Sequence, residues 1–314
     1  MSRVTPAQPA RKVSRIGMPA VSGTTSDMVG PQPREPIVKA LLRGLRELGN
    51  VYGQDFVTEP RAGESRPERF PSLAAELVRL PVGVIVAAGP MLPSLKQATS
   101  TIPIVTADAV DPVDEGLAQS LGHPGGNFTG PSNQSVELTG KRLGLLKEFV
   151  PTAALVSLRR DQTSRLNSQA AEAAARERGW KLLSLGFRDA GEIGGAFGAA
   201  AGARAGALLL AGGGLLYPQS RRIVELAATG RLPAMYPLRP SVEAGGLISH
   251  GADITEIWGG AAVLVDKILK GSKPADLPVE QPSRFQLVIN LKTAQALGLV
   301  VPQSILIRAD EVVR

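Results

Sequence analysis

Short, mainly apolar runs alternate along the chain with segments whose apolar positions recur every three or four residues. Residues 13–18, 83–89, 102–107, 154–158, 180–185, 206–211, 234–236 and 285–290 are of the first kind. A strand covered on both faces is apolar at nearly every position rather than every second one, so these runs predict buried parallel strands. Phe56 and Val57 mark a weaker strand, and residues 245–249 a further extended stretch. The second kind predicts helices. Ile37, Leu41, Leu42, Leu45 and Leu48 make one stripe that ends at Gly49, and Leu73, Leu77 and Leu80 make another. Residues 140–149, 168–178, 194–203, 220–229, 254–270 and 291–297 also read as helices, two of them stopped by Gly179 and Gly298.

Strands and helices in strict alternation imply parallel sheets joined by right-handed crossovers. Two such series predict an α/β protein of two Rossmann-like lobes, each a parallel sheet flanked by helices. The break falls at His123-Pro124-Gly125-Gly126-Asn127-Phe128-Thr129-Gly130. Glycines there could absorb the φ/ψ changes of a hinge, or the run could be an ordinary loop; a hinge is the expectation. The polar, Pro/Ala-rich residues 1–12 read as a disordered arm.

At 314 residues the chain can bury two cores, and a composition 43% hydrophobic and 20% charged is that of a globular protein. Cysteine is absent, which removes disulfides, thiolate nucleophiles and Cys-based zinc sites. His123 and His250 are the only histidines, too few for a His-rich metal centre. The net charge of +7 is concentrated in residues 1–50. No basic run with interleaved aromatics accompanies it, so it reads as a solvated arm and not a nucleic-acid surface. No stretch approaches the ~18 apolar residues of a membrane span. Residues 1–12 carry charge but no apolar core of a signal peptide. Either the protein stays in the cytoplasm or its export signal lies outside this sequence.

Several stretches, taken in order, carry a resemblance. They are Gly83-Val84-Ile85-Val86-Ala87-Ala88-Gly89, Lys96-Gln97-Ala98-Thr99-Ser100-Thr101-Ile102-Pro103, Pro124-Gly125-Gly126-Asn127-Phe128-Thr129-Gly130 and Gly140-Lys141-Arg142-Leu143. Leu232-Pro233-Ala234-Met235-Tyr236 and Val242-Glu243-Ala244-Gly245-Gly246-Leu247 follow. The most specific is Lys273-Pro274-Ala275-Asp276-Leu277-Pro278-Val279-Glu280-Gln281-Pro282, with Arg308-Ala309-Asp310-Glu311-Val312 near the end. From about Val13 onward the chain resembles the substrate-binding proteins of ABC transporters of the tryptophan/tyrosine-binding type. The resemblance implies a type I periplasmic binding protein fold with three hinge strands. Lobe 1 would span 13–131 plus 249–279, and lobe 2 132–248 plus 280–314. It also implies a periplasmic, monomeric receptor that closes on a small polar solute, an amino acid or a related carboxylate or amide. Its partner would be an ABC permease in the inner membrane. A cytoplasmic ligand-sensing module of the same fold is the alternative.

In open α/β sheets ligands sit beyond the carboxyl ends of the strands, where loops offer N–H groups and helix N-termini. That rule selects Ser22, Gly23 and Thr24; Ala88, Gly89 and Pro90; and Asp108 and Asp111 in the first lobe. In the second it selects Arg160, Asp161 and Gln162, then Gly212 and Gly213 with Gly214, then Tyr236. Asn133, Gln134 and Ser135 lie just past the expected hinge. Asp111, before Pro112, fits a helix N-cap equally well. Measured against the family resemblance, Pro90 replaces a small hydroxyl residue. Arg159-Arg160-Asp161-Gln162-Thr163 replaces a loop rich in Asn and Pro, and Gly212-Gly213-Gly214 an Asp-containing loop. The pocket is therefore expected to have changed its ligand. Arg160 could hold a carboxylate in a bidentate way. Aromatics are only 4% of the chain, and Tyr217 and Tyr236 alone look free to stack, which argues against an aromatic amino acid.

Catalysis lacks its parts. Gly212-Gly213-Gly214 is not a dinucleotide fingerprint, and no Walker A motif occurs. Asp108, Asp111 and Asp114 are spaced like a capping turn and have no His or nucleophile beside them. The expectation is a binding protein with no cofactor and no metal.

Overall fold

The computed structural model describes residues 13–160, 165–187, 190–212 and 218–314, and in it the chain runs through the same plan twice. The first run is β1 (Ser14–Ala20), α1 (Thr25–Met28), α2 (Pro36–Glu47), β2 (Phe56–Ala62), α3 (Phe70–Arg79), β3 (Val84–Ala88), α4 (Leu92–Ala98), β4 (Ile104–Asp108) and β5 (Phe128–Thr129). The second begins with α5 (Ser135–Phe149), β6 (Leu155–Arg160), α6 (Arg165–Glu177), β7 (Leu182–Phe187) and α7 (Ile193–Gly202). It continues through β8 (Ala207–Leu210), α8 (Ser220–Thr229), β9 (Ala234–Tyr236), α9 (Arg239–Glu243) and β10 (Ile248–Gly251). Then α10 (Ile254–Leu269) returns to the first lobe. β11 (Gln286–Asn290), α11 (Leu291–Ala296), α12 (Gln303–Arg308) and β12 (Glu311–Val313) complete the second.

Two separate sheets result, a five-stranded one in the order β2-β1-β3-β4-β5 and a seven-stranded one in the order β12-β11-β10-β9-β8-β6-β7. The buried strands divide their side chains between two cores. In β3, Val84 and Val86 face α2 and α10 with Leu41, Leu45 and Val265, while Ile85 and Ala87 face α3 and α4 with Leu77 and Leu95. In β8, Leu209 joins Leu143 and Leu146 of α5, while Leu208 and Leu210 join Ile193 and Ile223. Full burial of each such side chain stabilises the fold by roughly 1.5–3 kcal/mol. The apolar runs arise from this two-sided burial.

One pairing departs from the expected parallel pattern: β10 and β11 are antiparallel, with Ile248 opposite Ile289. The chain leaves lobe 2 at the end of β10, passes through α10 in lobe 1, and re-enters from the crossing side, so β11 must run the other way. The strands β5 and β12 and the helices α1, α4, α9 and α12 have too few apolar positions to have announced themselves.

Among the described residues the chain crosses between the lobes three times. The first is at Gly130–Ser132, where Ser132 N donates to Glu280 O at 2.9 Å. Residues 123–126 of the glycine-rich run stay in lobe 1, in a loop where Gln119 N donates to Pro124 O. Only Gly130 of that run stands at a crossing. Its φ is +131°, and a Cβ there would lie 2.2 Å from Thr106 O. The second crossing was expected at 249. Ser249, His250 and Gly251 instead belong to β10 of the second sheet, and the chain turns at Ala252 and Asp253. The third follows Val279, whose N–H bonds Leu121 O at 2.7 Å, and Thr129 Oγ1 ties the first strand to the third by donating to Leu277 O at 2.7 Å.

Candidate functional site

The carboxyl ends of β1, β3 and β4 open onto a crevice that lobe 2 covers. Ser22, Ala88, Pro90 and Asp108 line it from lobe 1, Ile254 and Trp258 from α10, and Pro218 and Leu238 from lobe 2, around a cavity of about 60 Å³. Past Asp108, Leu238 and Ile254 it continues into a recess of about 20 Å³ that Asn133, Ser135 and Arg142 close.

The recess is polar and its charges are unusual. Arg142 sits on the buried stripe of α5 between Leu138 and Leu146 and is 2% exposed. Its Nε donates to His250 O at 2.6 Å, and its Nη1 donates to Ser135 O and Ser135 Oγ, each at 3.1 Å. Among the described residues no carboxylate pairs with it, and burial draws its guanidinium down to about 9. Asp108 ends β4 with one edge open to the crevice. Burial pushes its carboxyl up to about 7, against the pull of a hydrogen bond from Asn133 Nδ2. Asn133 Oδ1 in turn accepts from Ser135 N at 2.9 Å. A cation from one lobe and a carboxyl from the other, neither compensated among the described residues, therefore share one chain of hydrogen bonds and one cavity. His250, next to Arg142, is held neutral: burial, then Arg142 and Lys141, push its imidazole down to about 4.

The selected residues divide accordingly. Ser22, Ala88, Pro90, Asp108 and Asn133 line the crevice or its recess. Gly89 lets the backbone pass beneath Asp108: a Cβ there would stand 2.7 Å from Asp108 O. Gly23, at φ +75°, lies under the Glu35 carboxylate. Thr24 is exposed and donates from Oγ1 to Asp27 Oδ2 at 2.7 Å, which turns it to α1 and away from the crevice. Asp111 caps its own turn, accepting from Val113 N and Asp114 N at 3.2 and 3.0 Å. Gln134 holds the left-handed position that starts α5, at φ +48°. Gly212 is buried at the end of the β8 segment, at φ +113°. Tyr236 faces inward: β9 turns it into the lobe 2 core with Phe187 and Ile193, 1% exposed and against Gly246. Arg160 ends β6, and its side chain lies outside the described residues, as do Asp161, Gln162, Gly213, Gly214 and Tyr217. Sequence reasoning missed Arg142. Its signal was an arginine at i, i+4 from Leu138 and from Leu146 on an otherwise apolar helix stripe.

The model of the family described as ABC transporter substrate binding protein matches residues 26–313. The chain belongs to that family. Among curated relatives, the tyrosine-binding protein of Clostridioides difficile (strain R20291) is 25% identical over 267 residues, 83% of this chain and 76% of the relative. Among solved structures, a conserved domain protein of Vibrio cholerae has a TM-score of 0.87 at 24% identity over 96% of this chain and all of its own. An ABC domain from Streptococcus pneumonia in complex with L-Trp has a TM-score of 0.86 at 24% identity, with the same coverage. These likenesses establish the fold, which also matches periplasmic binding proteins more distantly. Substrate-binding proteins of this family recognise solutes rather than transform them. Among the described residues no helix is long and apolar enough to cross a membrane.

Proposed function

We propose that this substrate-binding protein is the periplasmic, monomeric receptor of an ABC importer, that it binds an amino acid or a near relative, and that it acts by closing its lobes with no chemical turnover. The observation that carries this reading is the meeting of Asp108 from lobe 1 and Arg142 from lobe 2 in one cavity, each without a counter-ion among the described residues. Removing an ion from water costs several kcal/mol unless a partner repays it. A zwitterion supplies both partners together, its carboxylate to Arg142 and its ammonium to Asp108.

The magnitudes suit a switch. Moving a two-state equilibrium from 1:99 to 99:1 takes about 5.5 kcal/mol of differential affinity. Close charge pairs couple with roughly 1.5–7 kcal/mol each, so two pairs formed only in the closed state reach that size. The relatives support the class of ligand, one named for tyrosine and one bound to L-Trp. The TM-score of 0.86 to the L-Trp complex, against 0.66 to a ligand-free, open substrate-binding protein from Clostridium difficile, supports a closed arrangement of the lobes here. The docked partner is an inner-membrane permease.

Titration calorimetry with L-amino acids, their amides and the corresponding amines tests the chemistry, and solution scattering tests the closure. The expected result is saturable binding of a free amino acid, loss of most affinity in the amide and the amine, and a smaller radius of gyration with ligand. Equal affinity for the amide, or tight binding at constant radius, defeats the reading.

A further inference from the structure

The crevice has a second carboxyl group besides Asp108. Glu35 is the N-cap residue of α2, its carbonyl accepting from Lys39 N at 3.0 Å, but its side chain makes no capping bond, and among the described residues it makes no hydrogen bond or ion pair. Its carboxylate stands over Gly23, where a Cβ would lie 3.5 Å from Oε2. It lines the same cavity as Asp108 but follows the end of β1, while Asp108 ends β4 with β3 between them, and Pro19, Ile37, Leu238 and Ile254 supply apolar lining to that cavity. The neighbouring cation is engaged elsewhere: Arg34 is 80% exposed and turns to Asp27, Nε to Oδ1 at 3.1 Å. Asp27 adds negative charge near Glu35 without neutralising it, and burial first, then Asp27, holds the Glu35 carboxyl above its usual range.

Arg142 lines only the recess, Glu35 only the crevice, and Asp108 both, with apolar side chains making up most of the crevice wall. Trp258, the only aromatic side chain among the described lining residues, is 2% exposed and packs into the lobe 1 core, so it offers no open ring face. Methylene stems lie well along apolar walls while their charged ends seek a partner. We infer that Glu35 receives the cationic end of an aliphatic ligand side chain, so that the captured solute is a basic amino acid, with a run of methylenes ending in an ammonium or guanidinium. The inference rests on the amino-acid reading of the recess and adds the residue that selects among amino acids. A site built to pair a charged group rejects the analogue that lacks it more strongly than an apolar pocket rejects a methylene.

The test is calorimetry on the full chain with L-lysine, L-ornithine and L-arginine against their uncharged counterparts L-norleucine and L-citrulline. Lysine should bind at least tenfold tighter than norleucine, or arginine than citrulline. E35Q should bring the cationic ligand down to the affinity of its neutral counterpart, and E35D should retain part of the preference. If E35Q melts at a temperature that shows it unfolded, the comparison in the unsubstituted protein and E35D decides. Neutral analogues that bind as tightly as cationic ones overturn the inference, as does a preference that survives E35Q. If norleucine binds and loses affinity in R142M while no cation is preferred, only the role of Glu35 falls. If none of the five binds, the amino-acid reading falls with it.

Discussion

Replacing Arg142 by methionine removes the charge and keeps most of the length. In the empty protein two effects oppose each other. The guanidinium donates three hydrogen bonds, to His250 O, Ser135 O and Ser135 Oγ, and bonds from a charged donor are worth roughly 1.5–3 kcal/mol each. Against that, the fall of its proton affinity to about 9 means that burial costs the charged form roughly 5 kcal/mol, at 1.36 kcal/mol for each tenfold. The net loss should be only about 2 kcal/mol, and Tm should drop by several degrees for a chain of this size. The liganded protein loses more, because a ligand carboxylate would be buried without its cation. At about 2–5 kcal/mol, Kd should weaken by roughly 30- to 4,000-fold. Calorimetry with the best amino-acid ligand, paired with thermal melts of empty and saturated protein, separates the two effects. R142K should not restore binding fully, since an ammonium lacks the fixed fork that reaches His250 O and Ser135 together. The reasoning is refuted if R142M binds ligand within threefold of the parent. It is equally refuted if the empty variant unfolds outright, because Arg142 would then be a structural post.

Two further predictions follow from particular residues. Asp108 stays protonated in the fold to about 7, whereas the unfolded chain releases that proton near the ordinary carboxylate value. The native state holds the extra proton in between, so this group makes stability fall as pH rises from about 4 to about 7. His250, neutral in the fold down to about 4, does the reverse up to about 6.5, since the unfolded chain binds the proton and the native state does not. Glu115, raised to about 7 by burial and then by Asp111, Asp108 and Asp114, adds a second falling slope, so the parent's urea midpoint should fall through that window, while in D108N the remaining slopes of Glu115 and His250 oppose each other and the midpoint should stay nearly flat. Superimposable pH profiles would sink the assignment. At the second crossing, a Cβ on Gly251 would lie 1.9 Å from Pro237 O, so G251A must displace the backbone and should destabilise the protein by about 3 kcal/mol. A loss under about 1 kcal/mol by chemical denaturation would mean that this junction is slack.

The alternation of buried strands and amphipathic helices was legible in the chain because it is a local property. Val84 to Ala87 are apolar at every position since both faces of β3 are covered, and Leu41 and Leu45 recur at helical spacing since one face of α2 is. Of the residues picked by the rule that ligands gather beyond strand ends, Ser22, Pro90 and Asp108 line the crevice, because strand direction follows from the crossover pattern, and Asn133, picked for its place past the expected hinge, lines the recess. The rule misplaced Tyr236, whose orientation depends on which core the short β9 turns it toward. It passed over Arg142 and Glu35, which lie on or beside helices rather than at strand ends. Where a charge finds its partner is a long-range matter. Asp108 and Arg142 are brought to one recess only when the chain crosses at Gly130–Ser132 and the second lobe folds over the first, and no periodicity along the chain records that meeting. The sequence determined the layers; the tertiary fold decided which side chains face each other across them, because the two charges lose water together only in the recess that both lobes line.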